Sequence, residues 1–497
     1  MPHGPSPVFL CYNPISRIQV IIRPYVGVSS LKKLLITLLL TLSCVLIAVS
    51  CGGYKAPASG SGSGSKYRAF ISESVAAGSG AGLYVVDAQK DVRLPVAPIS
   101  AGNTPGMMAV TPNRNQTLVY SGNNLQSSDN TFNIINNSTE QNAVHVTLPG
   151  YTESFVISPD SSSAYVAVPN APVVGQSPGK IEVVALIAGT FNGEADIPSV
   201  HYLALNHSGN RLLAFSDVLA SLVAPCTDPT PSYVFLITPS DIGVKPCPMV
   251  PLPGVNFAFD HPVNAFFSSD DTAAFVINCG AECGGTQASV QKVEMTPAQC
   301  LPDGVCAPVP VPAATVGLVD GATLYLAGTP YSGGQPSQPC TGQTTQATTC
   351  GLLTVFDLNS MTRNPSQIVI TDGYHNRIAL AANGQLFVGG RTCTEVIPPL
   401  PPPKDAEIRG CLSVYNTQNK TVGTVQPFGV WIPSANGDVT GLQPIATRTV
   451  VYVVQGATVT VYDAAKDALA IISNNPGDPG HYPNLVGNFV DVKTVDF

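Results

Sequence analysis

Charge is scarce in this 497-residue sequence: Asp, Glu, Lys and Arg make up 11%, with 23 Lys+Arg against 31 Asp+Glu. An acidic balance argues against nucleic acid as a partner and against anionic membrane surfaces, both of which call for basic patches. Long helical periodicity is missing as well, since no extended segment keeps a 3.6-residue pattern. The chain also has no Walker loop, HExxH pair or dinucleotide fingerprint, the patterns that would announce nucleotide chemistry or a zinc-dependent hydrolase. No CxxC pair occurs, and the stretch CGAEC at Cys279 has the wrong interval for a zinc ribbon or finger. What the chain does hold is turn-forming residues, 45 Gly and 45 Pro, the composition of β architecture rather than of helices.

The one long apolar run lies near the start. Lys32 and Lys33 precede 17 uncharged residues, Leu34 to Ser50, which end at Cys51. A positive flank, a short apolar stretch and a small residue before a cut site describe an export signal within residues 1–50. The alternatives are an ordinary cleaved signal without lipid and a retained anchor, although 17 residues lie at the lower edge of what spans ~30 Å of hydrocarbon. The stretch Ala48-Val49-Ser50-Cys51 resembles the bacterial lipobox, which implies cleavage before Cys51 and lipid attachment there. Residues 1–30 are long and proline-bearing for the front of a signal, so translation starting at Val28 or Leu31 is the alternative. Residues 51–66 then read as a Gly/Ser-rich tether that cannot bury a core. Gly52 stands where, in lipoproteins, aspartate favours inner-membrane retention; the resemblance therefore implies the outer membrane, facing the periplasm or the cell surface. Loss of the four basic residues before Cys51 leaves 19 Lys+Arg against 31 Asp+Glu, a balance of −12.

Ten cysteines follow Cys51, all from Cys226 onward. An even number in an exported protein reads as disulfides, with zinc as the rival. Connectivity does not follow from sequence; sequential pairing keeps each bond within one repeat and is the simplest guess. It gives Cys226–Cys247, Cys279–Cys283, Cys300–Cys306, Cys340–Cys350 and Cys393–Cys411.

Self-similarity carries the fold. Short runs of alternating apolar residues ending in polar turns recur as MMAVTPN, SFVISPD, HYLALNHSG, VNAFFSSDD, TVGLVDG and RIALAANG. Each is followed at once by a second strand, such as SAYVAVP or AAFVINC, and then, after a variable loop, by a third that often closes on Asp or Asn, such as LLTVFDLNS. Period-two patterning between turn residues is the strand signature. Four-stranded antiparallel units repeated along a chain predict an all-β fold, a single β-propeller over 67–497. Second strands number eight, from YRAFISE to TVVYVVQ, so eight blades are expected, with seven as the alternative. The first unit lacks an inner strand and the C-terminus supplies an unpaired one, NFVDVKTVDF, which predicts closure by a blade shared between the termini.

The blade pattern resembles the YVTN-type and lactonase-like propellers. The resemblance covers Tyr67 to Phe497 and implies the fold more than any activity, because the repeated residues are those that build blades. No catalytic set of the lactonase kind matches here, and Trp431, the single tryptophan, excludes repeated tryptophan docking motifs of quinone-cofactor propellers.

With strands lettered A to D from the channel outward, B–C loops and D–A junctions share one face. The long, cysteine-bracketed insertions fall in B–C loops, where ordered long loops often carry function. Histidines and carboxylates gather at D–A junctions: Glu153, His201, Asp260, His261, His375, Asp438 and His481. They form a candidate ligand mouth, with no cofactor expected and a metal there as the alternative. The resulting expectation is a monomeric, lipid-anchored module in the bacterial envelope that binds an unidentified protein, glycan or small molecule. A lactonase-like or metal-dependent enzyme at the same mouth, or a structural envelope component, are the alternatives.

Overall fold

The computed structural model of the chain describes residues 62–74, 81–122, 129–222, 226, 230–252, 259–295, 304–340, 347–394, 411–418, 421–423, 437–456, 458–466, 468–469 and 488–496. Residues 1–50, on which the export-signal expectation falls, and Cys51, Cys300 and His481 lie outside the described residues. The chain divides into Met1–Lys55 and Ala56–Phe497, and every described residue belongs to the second unit.

Eight antiparallel blade sheets follow one another along that unit, with a ninth, two-stranded sheet of Tyr331–Ser332 and Gln335–Pro336 inserted in the sixth. Their inner strands are Phe489–Thr494, Pro105–Val110, Ser154–Ile157, Val200–Leu205, Pro262–Phe267, Val316–Asp320, Tyr374–Leu380 and Val439–Ile445, here blades 1 to 8. Each is four strands wide; blade 6 has a divided outer edge, because Thr362–Arg363 and Ile368–Ile370 both pair with Gly351–Asp357. Helix among the described residues is limited to two short 3-10 turns, Pro239–Asp241 and Gly280–Cys283.

Alternation explains why the sheets form a ring. In the strand Arg68–Glu73 of blade 1, Ala69 and Ile71 point to one side and pack with Tyr452, Val454 and Val461 of blade 8. Phe70, between them, points to the other side and packs with Met108, Val119 and Ile135 of blade 2. The same division repeats around the ring, so each of the eight apolar clusters lies between two adjacent blades. Fully burying a side chain such as Phe70 or Ile71 stabilises the fold by about 1.5–3 kcal/mol, so each blade owes its stability to its neighbours.

Closure uses both ends of the chain. Phe489–Thr494 pairs antiparallel with Arg68–Glu73 and supplies the inner strand that blade 1 lacks. Arg68 donates through Nε and Nη2 to the two oxygens of Asp496, at 2.8 and 2.7 Å, and through Nη1 to Glu140 at 2.9 Å. Ser63, just upstream, donates to the same Glu140 carboxylate at 2.5 Å. Glu140 sits in a C–D turn, so the chain joins the ring on the face opposite the B–C loops.

Four disulfides join sequence neighbours: Cys226–Cys247, Cys279–Cys283, Cys340–Cys350 and Cys393–Cys411. Cys306 is also disulfide-bonded, while its expected partner Cys300 lies outside the described residues. Such bonds are the mark of an oxidising, extracytoplasmic compartment. Among the described residues no helix is long and apolar enough to cross a membrane.

Candidate functional site at the loop-face mouth

The blades depart from regularity at one end. Six of the eight inner strands bulge next to the B–C face: the register slips at Val490, Gly106–Met107, His201, Val263, Asn376 and Thr440. A bulge places two residues opposite one and re-aims the side chain it carries. Blade 4 adds a larger excursion, because Ser216–Leu219 loop out opposite the single residue Tyr233. That excursion carries Asp217 and leaves Val218 and Leu219 exposed beside it.

His201, the bulged residue of blade 4, lies between two carboxylates. Its Nε2 is 2.9 Å from Asp217 and its Nδ1 3.5 Å from Glu153 of blade 3. Burial opposes the charged imidazole, but hydrogen bonds to Asp217 and Glu153, reinforced by their charges, win and raise its pKa to about 9. His201 is therefore an imidazolium at neutral pH. Next to it, Tyr202 lies near enough to Tyr374 for the two phenols to influence each other. Blades 4 and 7 are not neighbours, so this contact crosses the channel. Burial, and then each other or a nearby carboxylate, raises both phenol pKa values, which keeps them protonated donors.

Glu282 completes this side of the mouth. It lies in the B–C turn of blade 5 and accepts the backbone N–H of Thr329 in blade 6 at 2.6 Å. Burial raises its pKa to about 8, against the lowering effect of that hydrogen bond. A cavity of about 300 Å³ opens beside these groups, lined by Tyr202, Asp217, His261, Pro262, Val263 and Cys283.

The residues expected from sequence are thus partly assembled. Glu153 and His201 are in contact, and His261 lines the cavity. Asp260 pairs with His261 at 3.0 Å but chiefly holds the adjacent turn, accepting from Thr286 N and Oγ1 and Gln287 N at 2.7–2.8 Å. Asp438 accepts the backbone N–H of Thr392 at 2.8 Å, tying blade 8 to the loop of blade 7. His375 requires a correction: it is fully buried, 3.3 Å from Thr371 Oγ1, and does not reach the mouth. Burial lowers its pKa to about 4. His481 lies outside the described residues, so its place in this set has no structural account.

Asp217, Tyr202, Tyr374 and Glu282 went unseen in the sequence. The dipeptides HY in HYLAL and YH in GYHNRIAL are a visible signal, because each pairs the two residue types at a strand start. Nothing in them says that blade 4 turns both toward the mouth whereas blade 7 sends only the tyrosine there. Among the described residues no group of three or more His, Cys, Asp and Glu side chains is arranged to hold a metal ion.

No protein-family model matches the sequence, and no curated protein matches it. Solved structures with a similar course include a dihydro-heme d1 dehydrogenase, 11% identical over 89% of this chain and 77% of that one, TM-score 0.49. Hydrazine synthase of Kuenenia stuttgartiensis is 12% identical over 74% of this chain and 97% of its own, TM-score 0.48. A periplasmic gluconolactonase of Pseudomonas aeruginosa is 12% identical over 86% and 98%, TM-score 0.42. Likeness at this level carries no argument about activity, and the propeller assignment stands on the sheet topology of this chain.

Proposed function

We propose that the protein is a lipid-anchored, extracytoplasmic binding module of the cell envelope that takes a polar ligand at its loop-face mouth. The observation that carries this reading is the Glu153–His201–Asp217 cluster, set with the Tyr202–Tyr374 pair beside a cavity of about 300 Å³. Convergent polar groups with displaced pKa values at a concave site are the usual mark of a binding centre. Exposed Val218 and Leu219 add apolar contact at its rim. Cys51 is the lipidated residue in this reading, and the outer membrane the destination. The described chain enters the ring on the face opposite the mouth, so in this reading the tether attaches away from the site. A second reading, an enzyme at the same mouth, draws on Glu282, a carboxyl kept protonated up to about pH 8 and thus suited to general-acid work.

The test compares wild-type protein, isolated from envelopes of the producing cell, with the His201→Ala/Asp217→Ala variant by native mass spectrometry. Palmitate labelling of Cys51→Ser is followed in parallel. A non-protein mass held by the wild type and lost from the variant, with label lost from Cys51→Ser, is expected. Identical masses on both proteins sink the mouth; persistent label sinks the anchor.

A further inference from the structure

Among the described residues, three of the four disulfides with both ends in view enclose substantial chain, with separations of 21, 10 and 18 residues. Cys279–Cys283 is different, with a separation of 4. Stabilisation through loop entropy falls with the length enclosed, so this bond contributes the least of the four by that route. The turn it spans is also held without it. Cys279 N donates to His261 O at 2.9 Å, Gly280 N to Asp260 O at 3.0 Å and Gly285 N to Gly280 O at 2.9 Å. The Asp260 carboxylate clamps the next two residues. A bond with so little to staple calls for another account.

Its two ends differ in access. Cys279 is 1% exposed, whereas Cys283 is partly exposed and lines the mouth cavity. The three residues between them include Glu282, whose carboxylate holds Thr329 of blade 6. Opening the bond would loosen that link between blades 5 and 6 at the edge of the site.

We propose that Cys279–Cys283 is a thiol–disulfide exchange site, entered from the mouth cavity at the sulfur of Cys283 and served by small thiols or an exposed protein thiol. A thiolate attacks Cys283 Sγ, a new S–S bond forms, and the bond to Cys279 breaks. Cys279 leaves with the electron pair and takes a proton from water. A second thiolate attacking the incoming sulfur of the mixed disulfide releases Cys283 and yields an external disulfide, so two electrons pass from two thiols to the protein. The inference is independent of which ligand the mouth binds, or whether it binds one.

The experiment is a timed reduction of the full-length protein in detergent with glutathione. New thiols are trapped with N-ethylmaleimide and assigned by peptide mass spectrometry while far-ultraviolet circular dichroism follows the sheets. Cys279 and Cys283 should be labelled at least about ten-fold faster than Cys226, Cys247, Cys340, Cys350, Cys393 and Cys411, with the β signal intact. Labelling of all pairs at one rate, or labelling of Cys279 and Cys283 only once the β signal falls, overturns the proposal. Given glutathione disulfide instead, Cys279→Ser should form one glutathione adduct per chain at Cys283, each releasing one glutathione thiolate; a folded variant that forms none overturns it too. Should that variant fail to fold, the wild-type time course still decides.

Discussion

Asp217→Asn removes one charge from the mouth while keeping the side-chain shape and a hydrogen-bond acceptor. His201 reports the loss, because its imidazolium depends on Asp217 at 2.9 Å and Glu153 at 3.5 Å. Two unit charges about 4 Å apart interact by about 4 kcal/mol at an effective dielectric near 20. Asp217 is half exposed, so water screens it and the net effect falls to about 1.4–2.7 kcal/mol. That is a 10- to 100-fold loss of proton affinity, taking the imidazole from about 9 part of the way back to its ordinary 6.5. The assay is an NMR titration of the histidine C2 protons, with His201→Gln to assign the resonance. Stability moves with it: because the folded-state pKa is raised, the contribution is complete below about pH 6.5 and disappears as pH climbs through 9. In Asp217→Asn the loss begins from a smaller contribution and ends at lower pH. A wild-type His201 titrating near 6.5, or one indifferent to Asp217→Asn in a folded protein, refutes the charge-clamped mouth.

His375 has the opposite sign. Its folded-state pKa is lowered to about 4, so its contribution is present above pH 6.5 and is lost as pH falls toward 4, amounting to about 2 kcal/mol by pH 5; in urea melts at pH 7 and 5, His375→Leu should remove that part of the acid sensitivity, and an unchanged pH dependence would count against the buried neutral imidazole. Deleting residues 488–497 removes the strand that pairs with Arg68–Glu73 and opens a sheet edge. Light scattering should then show self-association, whereas a stable monomer with an unshifted melting temperature would deny the terminal strand its closing role.

The ring was legible because its rules are local. Alternation in SAYVAVP or AAFVINC assigns successive residues to opposite faces, and both faces are buried between blades. The inner strand of blade 8, Val439–Ile445, escaped notice for the same reason: Gly441 and Pro444 interrupt the pattern in VTGLQPI. Closure was legible from an inventory, a first unit short of one strand and a last strand without a sheet. The mouth was less readable. His375 has the same kind of position in sequence as His201, yet the bulge in blade 4 falls on the histidine itself, whereas in blade 7 it falls on Asn376. A shift of one residue exchanges the two faces of a strand, so a buried imidazole and a charged one can follow from nearly the same local text. Asp217 meets His201 only because the second strand of blade 4 loops out, and Glu282 meets Thr329 only through the neighbouring blade; neither relation is written in the repeat.

A repeat protein builds its scaffold from what the units share, so chemistry has to come from where they differ. Here the A–B turns are short and alike, tied by side chains such as Asp160 to Ser158 and Ser162, and Asp270 to Ser268 and Thr272. Those bonds spend the polar groups on the turns themselves and leave little to offer a ligand. On the other face the differences accumulate: six bulged inner strands, a four-residue excursion that carries Asp217, a tyrosine pair joining non-adjacent blades, and a disulfide that encloses almost nothing. The last three fall on blades 4, 5 and 7, and the apolar clusters flanking those blades hold them in place. Stability and site are therefore separable in this fold. Substitutions at Glu153, Asp217 or Tyr374 alter the mouth at the margin of the cores, whereas Phe70 or Tyr452 belongs to cores that hold the ring together.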